Sequence, residues 1–132
     1  MIYFKSLVVA GIVTVLLCAG PLHAHHSVAA SYDTSQTITV TGVVTSVEWR
    51  NPHVILHLDV KNNDNSFTDW RMEMQGANAL SAAGIDSGVL VLGDQISARV
   101  WTARNGTKYG NVRNLLLPDG RNLDVGDRWP QG

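Results

Sequence analysis

Residues 36–49 read QTITVTGVVTSVEW, and this stretch decides the fold of the chain. Polar and apolar residues alternate along it with a period of two, as in a half-buried β-strand. The apolar residues occupy even positions at Ile38 and Val40 and an odd position at Val47. This change of phase near Gly42 predicts a bulge or sharp bend that lets one long strand serve two sheets.

The same kind of pattern predicts four further strands and one helix. The helix is expected at residues 76–83, where small and helix-favouring residues precede Gly84. Asn105-Gly106 is the strongest hairpin signal in the chain. The predicted strands after the first are residues 53–61, 67–75, 95–104 and 109–117.

The order of these elements predicts the fold class. Three strands, a helix and two strands, with a long bent first strand, are typical of a mostly β, OB-like five-stranded barrel. The one short helix then lies between strands 3 and 4. A generic β-sandwich is the alternative, but it is disfavoured by the small number of strands and by the interposed helix.

The chain begins with the features of a secretory signal peptide. Lys5 precedes an apolar run over residues 7–19, and Ala24 provides a small residue for cleavage. The run is too short for a spanning helix, which needs roughly 20 apolar residues. We therefore expect residues 1–24 to be removed and the protein to reach the periplasm without a stable membrane anchor. Cleavage after Gly20 is the alternative.

The rest of the chain is expected to hold one domain. Residues 25–35, small and polar, predict an N-terminal arm, and residues 36–128 are the predicted barrel domain. Cys18, the only cysteine, lies in the predicted signal peptide, so we expect no disulfide and no cysteine nucleophile. Without Lys5, 9 of the 10 basic residues remain against 11 acidic ones, which argues against nucleic-acid binding.

A histidine pair, His25-His26, follows the predicted cleavage site. After cleavage His25 is the N-terminal residue, and its α-amine and Nδ1 can chelate one metal ion. A third imidazole completes a T-shaped set of nitrogens, which favours Cu(II). We therefore predict copper binding through His25, with His26 or His53 as a further ligand. Cleavage at another residue would abolish the site, and solvated histidines on a mobile arm are the alternative interpretation.

His53 and His57 share one face of the second predicted strand. Four residues correspond to roughly 13 Å along a strand. The two side chains therefore cannot bind one metal ion together, and at most one of them can be the third copper ligand. The alternative interpretation is that both are half-buried histidines hydrogen-bonded on the barrel surface.

Three aromatic residues indicate a second kind of site. Trp49, Trp101 and Tyr109 form a predicted aromatic platform, and OB-fold barrels bind sugars or single strands on such faces. Asn51 and His57 complete the candidate ligand-binding residues. The alternative function is therefore a metal-free OB module that binds a small ligand such as a sugar, a peptide or a partner protein.

The sequence contains no complete catalytic constellation. Asp69 and Glu73 share a strand face, but they lie roughly 13 Å apart, farther than the paired carboxylates of glycosidases. Met72 and Met74 carry thioethers that Cu(I) accepts, although core packing is the better interpretation. The chain is therefore expected to be a binding protein, with an enzyme as the least favoured class.

Several segments occur in an order that resembles a known family. With them the chain resembles a family of uncharacterised exported bacterial proteins, a domain of unknown function. The resemblance covers essentially the whole mature chain; it implies a periplasmic OB-like domain and no established activity. The segments are His25-His26-Ser27, Trp49-Arg50-Asn51-Pro52-His53, Gly-Ala-Asn-Ala-Leu at 76–80, Leu-Gly-Asp at 92–94 and Leu-Pro-Asp-Gly-Arg at 117–121.

Overall fold

The structure is a computed structural model that describes residues 28–126. The predicted signal peptide, His25 and His26 lie outside the described residues. The five predicted strands and the predicted helix are confirmed, with each end within two residues of its expected position. The elements are α1 (Val28–Ser31), β1 (Ile38–Glu48), β2 (Ile55–Lys61), β3 (Phe67–Glu73), α2 (Ala77–Ala82), a 3-10 turn (Ser87–Val89), β4 (Gln95–Thr102), β5 (Tyr109–Leu116) and β6 (Asn122–Asp124).

The first five strands close into a barrel. β1 pairs antiparallel with both β2 and β4, β2 pairs with β3, and β4 pairs with β5. A parallel pairing of β3 with β5 closes the ring. This connectivity confirms the OB-like barrel. The short strand β6 adds to the edge of β5, and within residues 28–126 no helix is long and apolar enough to cross a membrane.

The long first strand changes partner along its length. Its first half pairs with β4, its second half pairs with β2, and the two pairings overlap at Val43. The register shift lies between Val44 and Ser46, slightly after the predicted bend at Gly42. Gly42 is needed for a different reason, because a Cβ there would lie 2.7 Å from the carbonyl oxygen of Asp59.

The interior of the barrel is one apolar core. Leu56 and Leu58 of β2 are fully buried, and Leu80 of α2 packs against the same cluster. Met72 and Met74 are also buried in this cluster, which places their thioethers in the core. The inward positions of β2 and β3 therefore stabilise the fold, and the outward positions of the same strands are left for a site.

The N-terminal arm contacts the barrel at the end of β4. Tyr32 pairs with Ala103 in an isolated antiparallel bridge. Two backbone hydrogen bonds of 2.8 and 2.9 Å flank this bridge. The arm is thus fixed to the sheet edge, and the Tyr32 side chain is only 6% exposed. The flanking bonds run from Asp33 N to Thr102 O and from Arg104 N to Ser31 O.

Candidate functional site

Outward-facing residues from successive strands lie side by side in two rows. Strand pairing brings together residues that are far apart in the sequence, on the β2–β3 face that OB folds use for ligands. One row, from β1 to β2, β3, β5 and β4, is Glu48, Ile55, Glu73, Asn111 and Trp101. The neighbouring row is Ser46, His57, Arg71 and Tyr109.

Glu73 is the centre of a polar cluster on this face. Its Oε2 accepts hydrogen bonds from the hydroxyls of Tyr32 at 3.0 Å and Tyr109 at 3.2 Å. Its Oε1 lies 3.1 Å from Nδ1 of His53. The two tyrosine rings stack with their centroids 6.1 Å apart. Three donors therefore compensate for the partial burial of this carboxylate, whose side chain is 19% exposed. We call these four residues the Glu73 cluster.

The two tyrosines of the Glu73 cluster are held in their protonated form. Burial raises the pKa of Tyr32, and the negative charge of Glu73 raises it further. Burial and Glu73 also raise the pKa of Tyr109, against a smaller opposite effect of Arg71. Both hydroxyls therefore remain hydrogen-bond donors to the carboxylate at neutral pH.

His53 presents one ring nitrogen to the solvent side of the site. Its Nδ1 lies 3.2 Å from the carbonyl oxygen of Met74 and 3.1 Å from Glu73 Oε1. Because a carbonyl oxygen can only accept, the hydrogen of the neutral ring lies on Nδ1 and the lone pair lies on Nε2. Residues 28–126 provide no hydrogen bond to Nε2, and the side chain is 41% exposed. Metal-binding histidines are commonly held in this way.

His57 is held differently from His53. Its Nδ1 lies 3.1 Å from both carboxylate oxygens of Asp69, on the neighbouring strand. Its Nε2 lies 3.7 Å from Glu48 Oε1. Both ring nitrogens therefore face carboxylates of the protein. His57 differs in this from His53, whose Nε2 has no such neighbour among residues 28–126.

A cleft of about 360 Å³ opens beside His53 and Glu73. Its remaining walls come from the β1–β2 loop and from the outward positions of β2, β3 and β5. Three residues predicted from the sequence for two different sites, Asn51, His53 and Tyr109, thus lie together in one cleft. The other lining residues are Arg50, Pro52, Ile55 and Arg71.

The β1–β2 loop is fixed by the start of α2. The side-chain oxygen of Asn51 accepts a hydrogen bond of 3.1 Å from the backbone N–H of Asn78. Gly76 allows this contact, since a Cβ there would lie 2.5 Å from the carbonyl oxygen of Pro52. The Trp-Arg-Asn-Pro-His segment and the Gly-Ala-Asn segment therefore form one unit, which positions His53.

The three residues of the predicted aromatic platform come from three parts of the barrel: the end of β1, β4 and β5. Trp49 follows β1 and packs partly buried against the core. Trp101 lies on β4, opposite Asn111 of β5. Its ring packs under the guanidinium of Arg113, at 4.2 Å from the ring centroid. Of the three, Tyr109 alone lines the cleft.

The described part of the chain does not hold a complete metal site. Within residues 28–126, no group of three or more His, Cys, Asp or Glu side chains is arranged to bind a metal ion. His53 is the predicted copper ligand that lies in this range, while His25 and His26 lie outside it.

Sequence reasoning missed the roles of Tyr32 and Glu73. Tyr32 lies in the segment interpreted as a small polar arm, and Glu73 was considered only as a carboxylate too far from Asp69 to act with it. Glu73 alternates with core methionines, so its outward direction was readable from the sequence. Its tyrosine partners lie 41 and 36 residues away, however, and no local pattern identifies them.

Comparisons with known proteins identify a family but no activity. Neither the curated proteins nor the solved structures contain a match to this chain. A family model matches residues 10–113, which include the arm, β1 to β4, α2 and every residue that lines the cleft. The resemblance to an uncharacterised domain is therefore confirmed. The chain belongs to DUF6152, a family of unknown function.

Proposed function

We propose that this chain is a small exported protein of the periplasm that binds copper at its mature N-terminus. The α-amine and Nδ1 of His25 chelate the ion, and Nε2 of His53 supplies the third nitrogen from the barrel. Three nitrogens in a T-shaped arrangement suit Cu(II). The protein then acts as a copper carrier or sensor, with His26 as the alternative to His53.

One observation carries this proposal: a single carboxylate, Glu73, binds both the arm and His53. The arm is held through Tyr32, which lies seven residues after His25. α1 accounts for four of those residues, and the chain between residue 25 and Tyr32 can span at most about 16 Å. That length allows the N-terminal residue to reach the cleft while Tyr32 stays in contact with Glu73.

The surroundings of His53 support the binding of a cation. Met74 and Glu73 fix the tautomer in which Nε2 carries the lone pair. A carboxylate that accepts the other ring N–H increases the basicity of a coordinating histidine. The negative charge of Glu73 also lies behind the ring, where it favours a positive ion at Nε2.

The first test of the copper proposal is the intact mass of the exported protein. We expect a mature chain that starts at His25. A chain that starts at Ser27 or later lacks the chelating amine of a histidine, and that result would contradict the proposal directly.

The second test is a Cu(II) titration followed by EPR. We expect a nitrogen-rich tetragonal spectrum for the mature protein, its loss in His25→Ala, and weaker binding with one nitrogen fewer in His53→Ala. His57→Ala is the matched control, because that histidine lies on the same face but contacts two carboxylates. A nitrogen-rich spectrum that is unchanged in both His25→Ala and His53→Ala would overturn the proposal.

The cleft supports a second candidate function, a metal-free OB module that binds a small ligand. Asn51 and Tyr109 line it on the face that OB folds use for ligands. This second function is favoured over copper binding if copper binds the protein no more tightly than it binds an unstructured peptide of the same N-terminal sequence.

A further inference from the structure

Two arginine side chains line the cleft beside His53. Arg71 extends from β3, and its guanidinium carbon lies 5.1 Å from the centroid of the Tyr109 ring. Among residues 28–126, no carboxylate forms an ion pair with Arg71. Its planar set of N–H donors is therefore available to an anion that enters the cleft.

The acidic neighbours of Arg71 on β3 are bound to other residues. Asp69 contacts His57 at 3.1 Å with both of its oxygens. Glu73 accepts hydrogen bonds from two tyrosines and lies 3.1 Å from His53. Although these two acids flank Arg71 along the strand, their oxygens are directed to partners on other elements.

Arg50 lines the cleft from the β1–β2 loop. Its ion pair with Glu48, at 2.8 Å, is exposed, with 59% and 39% of the two side chains accessible. Exposed pairs of this kind contribute little stability, so an incoming anion can replace Glu48 at low cost. Pro52 and Ile55 add apolar surface to the same cleft.

We infer that this cleft binds a small organic carboxylate, with the carboxylate group between Arg71 and Arg50. A guanidinium binds a carboxylate through two parallel N–H···O bonds, which suits the unpaired fork of Arg71. The apolar part of the ligand packs against Pro52 and Ile55. The volume of about 360 Å³ is within the range of small-molecule sites. This inference uses described residues only and does not depend on copper.

Benzoate is a suitable probe for this inference. Metal-free mature protein is titrated with benzoate at constant ionic strength, and amide shifts are followed by two-dimensional NMR. We expect saturating shifts at the cleft, and much smaller shifts with benzamide, which has the same shape but no charge. Benzamide that binds as tightly as benzoate, or benzoate that causes no saturating shift at the cleft, would overturn the inference.

Arginine variants test the same inference more sharply. We expect Arg71→Gln to bind benzoate at least about tenfold more weakly, and Arg50→Gln to bind it more weakly as well. Arg71→Lys should recover part of the affinity, because it keeps the charge but loses the planar fork. Arg121→Gln is the matched control, since it makes the same charge change at a residue paired with Asp119 outside the cleft.

The outcome that rejects this assignment is equal benzoate affinity in the wild type and in a folded Arg71→Gln variant. A well-dispersed NMR spectrum establishes that each variant is folded. Because every sample is free of metal, a failure here leaves the copper proposal standing, and a failure of the copper titration leaves this result standing.

Discussion

The two faces of β2 and β3 are stabilised by different interactions. On the inner face, Leu58 and Met72 are fully buried among other apolar side chains. On the outer face, Glu73 and His53 are positioned by a few polar contacts, and one of these comes from the N-terminal arm. The inner face therefore tolerates substitution poorly at every position, whereas the outer face depends on a small number of specific partners.

The outer face also contains a difference between its two histidines. His57 has both ring nitrogens directed at carboxylates, while His53 has one nitrogen fixed and the other without a hydrogen-bond partner among residues 28–126. The sequence pattern puts both residues on one strand face and does not distinguish them, whereas in the structure β2 begins at Ile55 and His53 lies just before it. The neighbouring residues decide which histidine is available to a ligand.

The largest expected effect comes from the inner face. Leu58→Ala should lower the free energy of unfolding by about 2–5 kcal/mol, because it leaves a cavity in the core. Chemical denaturation measures this loss. His57→Ala, one residue away on the outer face, should cost less than about 1 kcal/mol. Equal losses in the two variants would mean that the two faces are not distinguished as the structure indicates.

A smaller effect is expected at the centre of the outer face. Glu73→Ala removes the acceptor of Tyr32, Tyr109 and His53, and should lower the free energy of unfolding by about 1–3 kcal/mol. Asp69→Ala removes an exposed carboxylate from the same strand face and should cost less than about 1 kcal/mol. If Asp69→Ala lowered the free energy of unfolding as much as Glu73→Ala, the result would contradict the assignment of Glu73 as the centre of the outer face.

The contact between the arm and the barrel can be tested with one hydroxyl group. Tyr32→Phe keeps the stacked ring and should cost about 1 kcal/mol. It should also speed hydrogen exchange at the Asp33 amide, which donates to Thr102 O at 2.8 Å. Tyr109→Phe removes the other hydroxyl from Glu73 and should leave that exchange rate unchanged. Unchanged exchange in Tyr32→Phe would show that the hydroxyl does not hold the arm.

A further difference is expected in the alkaline pH dependence of stability. Folding raises the pKa of Tyr32 and Tyr109 above the ordinary value near 10, mainly through burial. Above about pH 10 the unfolded chain therefore loses these protons before the folded chain does, and stability falls as the pH rises. Denaturation between pH 9 and 11 should show a steeper fall for the wild type than for the Tyr32→Phe, Tyr109→Phe double variant. Parallel curves would contradict this account.

The fold was predictable because its signals are local. Period-two alternation, Asn105-Gly106 and the helix ending near Gly84 each depend on a few consecutive residues. The prediction put the bend of β1 at Gly42, but the register shift lies between Val44 and Ser46. Gly42 is required because β1 packs closely against β2 at this position. β6 was missed because it has three residues, too few for a periodic pattern.

The site was predictable only in part. His53, Asn51 and Tyr109 were identified from their residue types, and they meet in the cleft. Glu73, which contacts His53 and Tyr109, was not identified, because the contact of β3 with β5 is parallel and joins distant segments. The predicted aromatic platform grouped Trp49, Trp101 and Tyr109 by residue type, whereas the strand register of the closed barrel determines which of them are neighbours.

The pairing that closes the barrel is also its shortest. β3 and β5 share three residue pairs, whereas β2 and β3 share seven. Three of the six residues at this junction, Arg71, Glu73 and Tyr109, also line the cleft. A bound molecule would span both strands and oppose their separation. A ligand in the cleft would therefore stabilise the closed barrel at the strand pairing that has the fewest residue pairs.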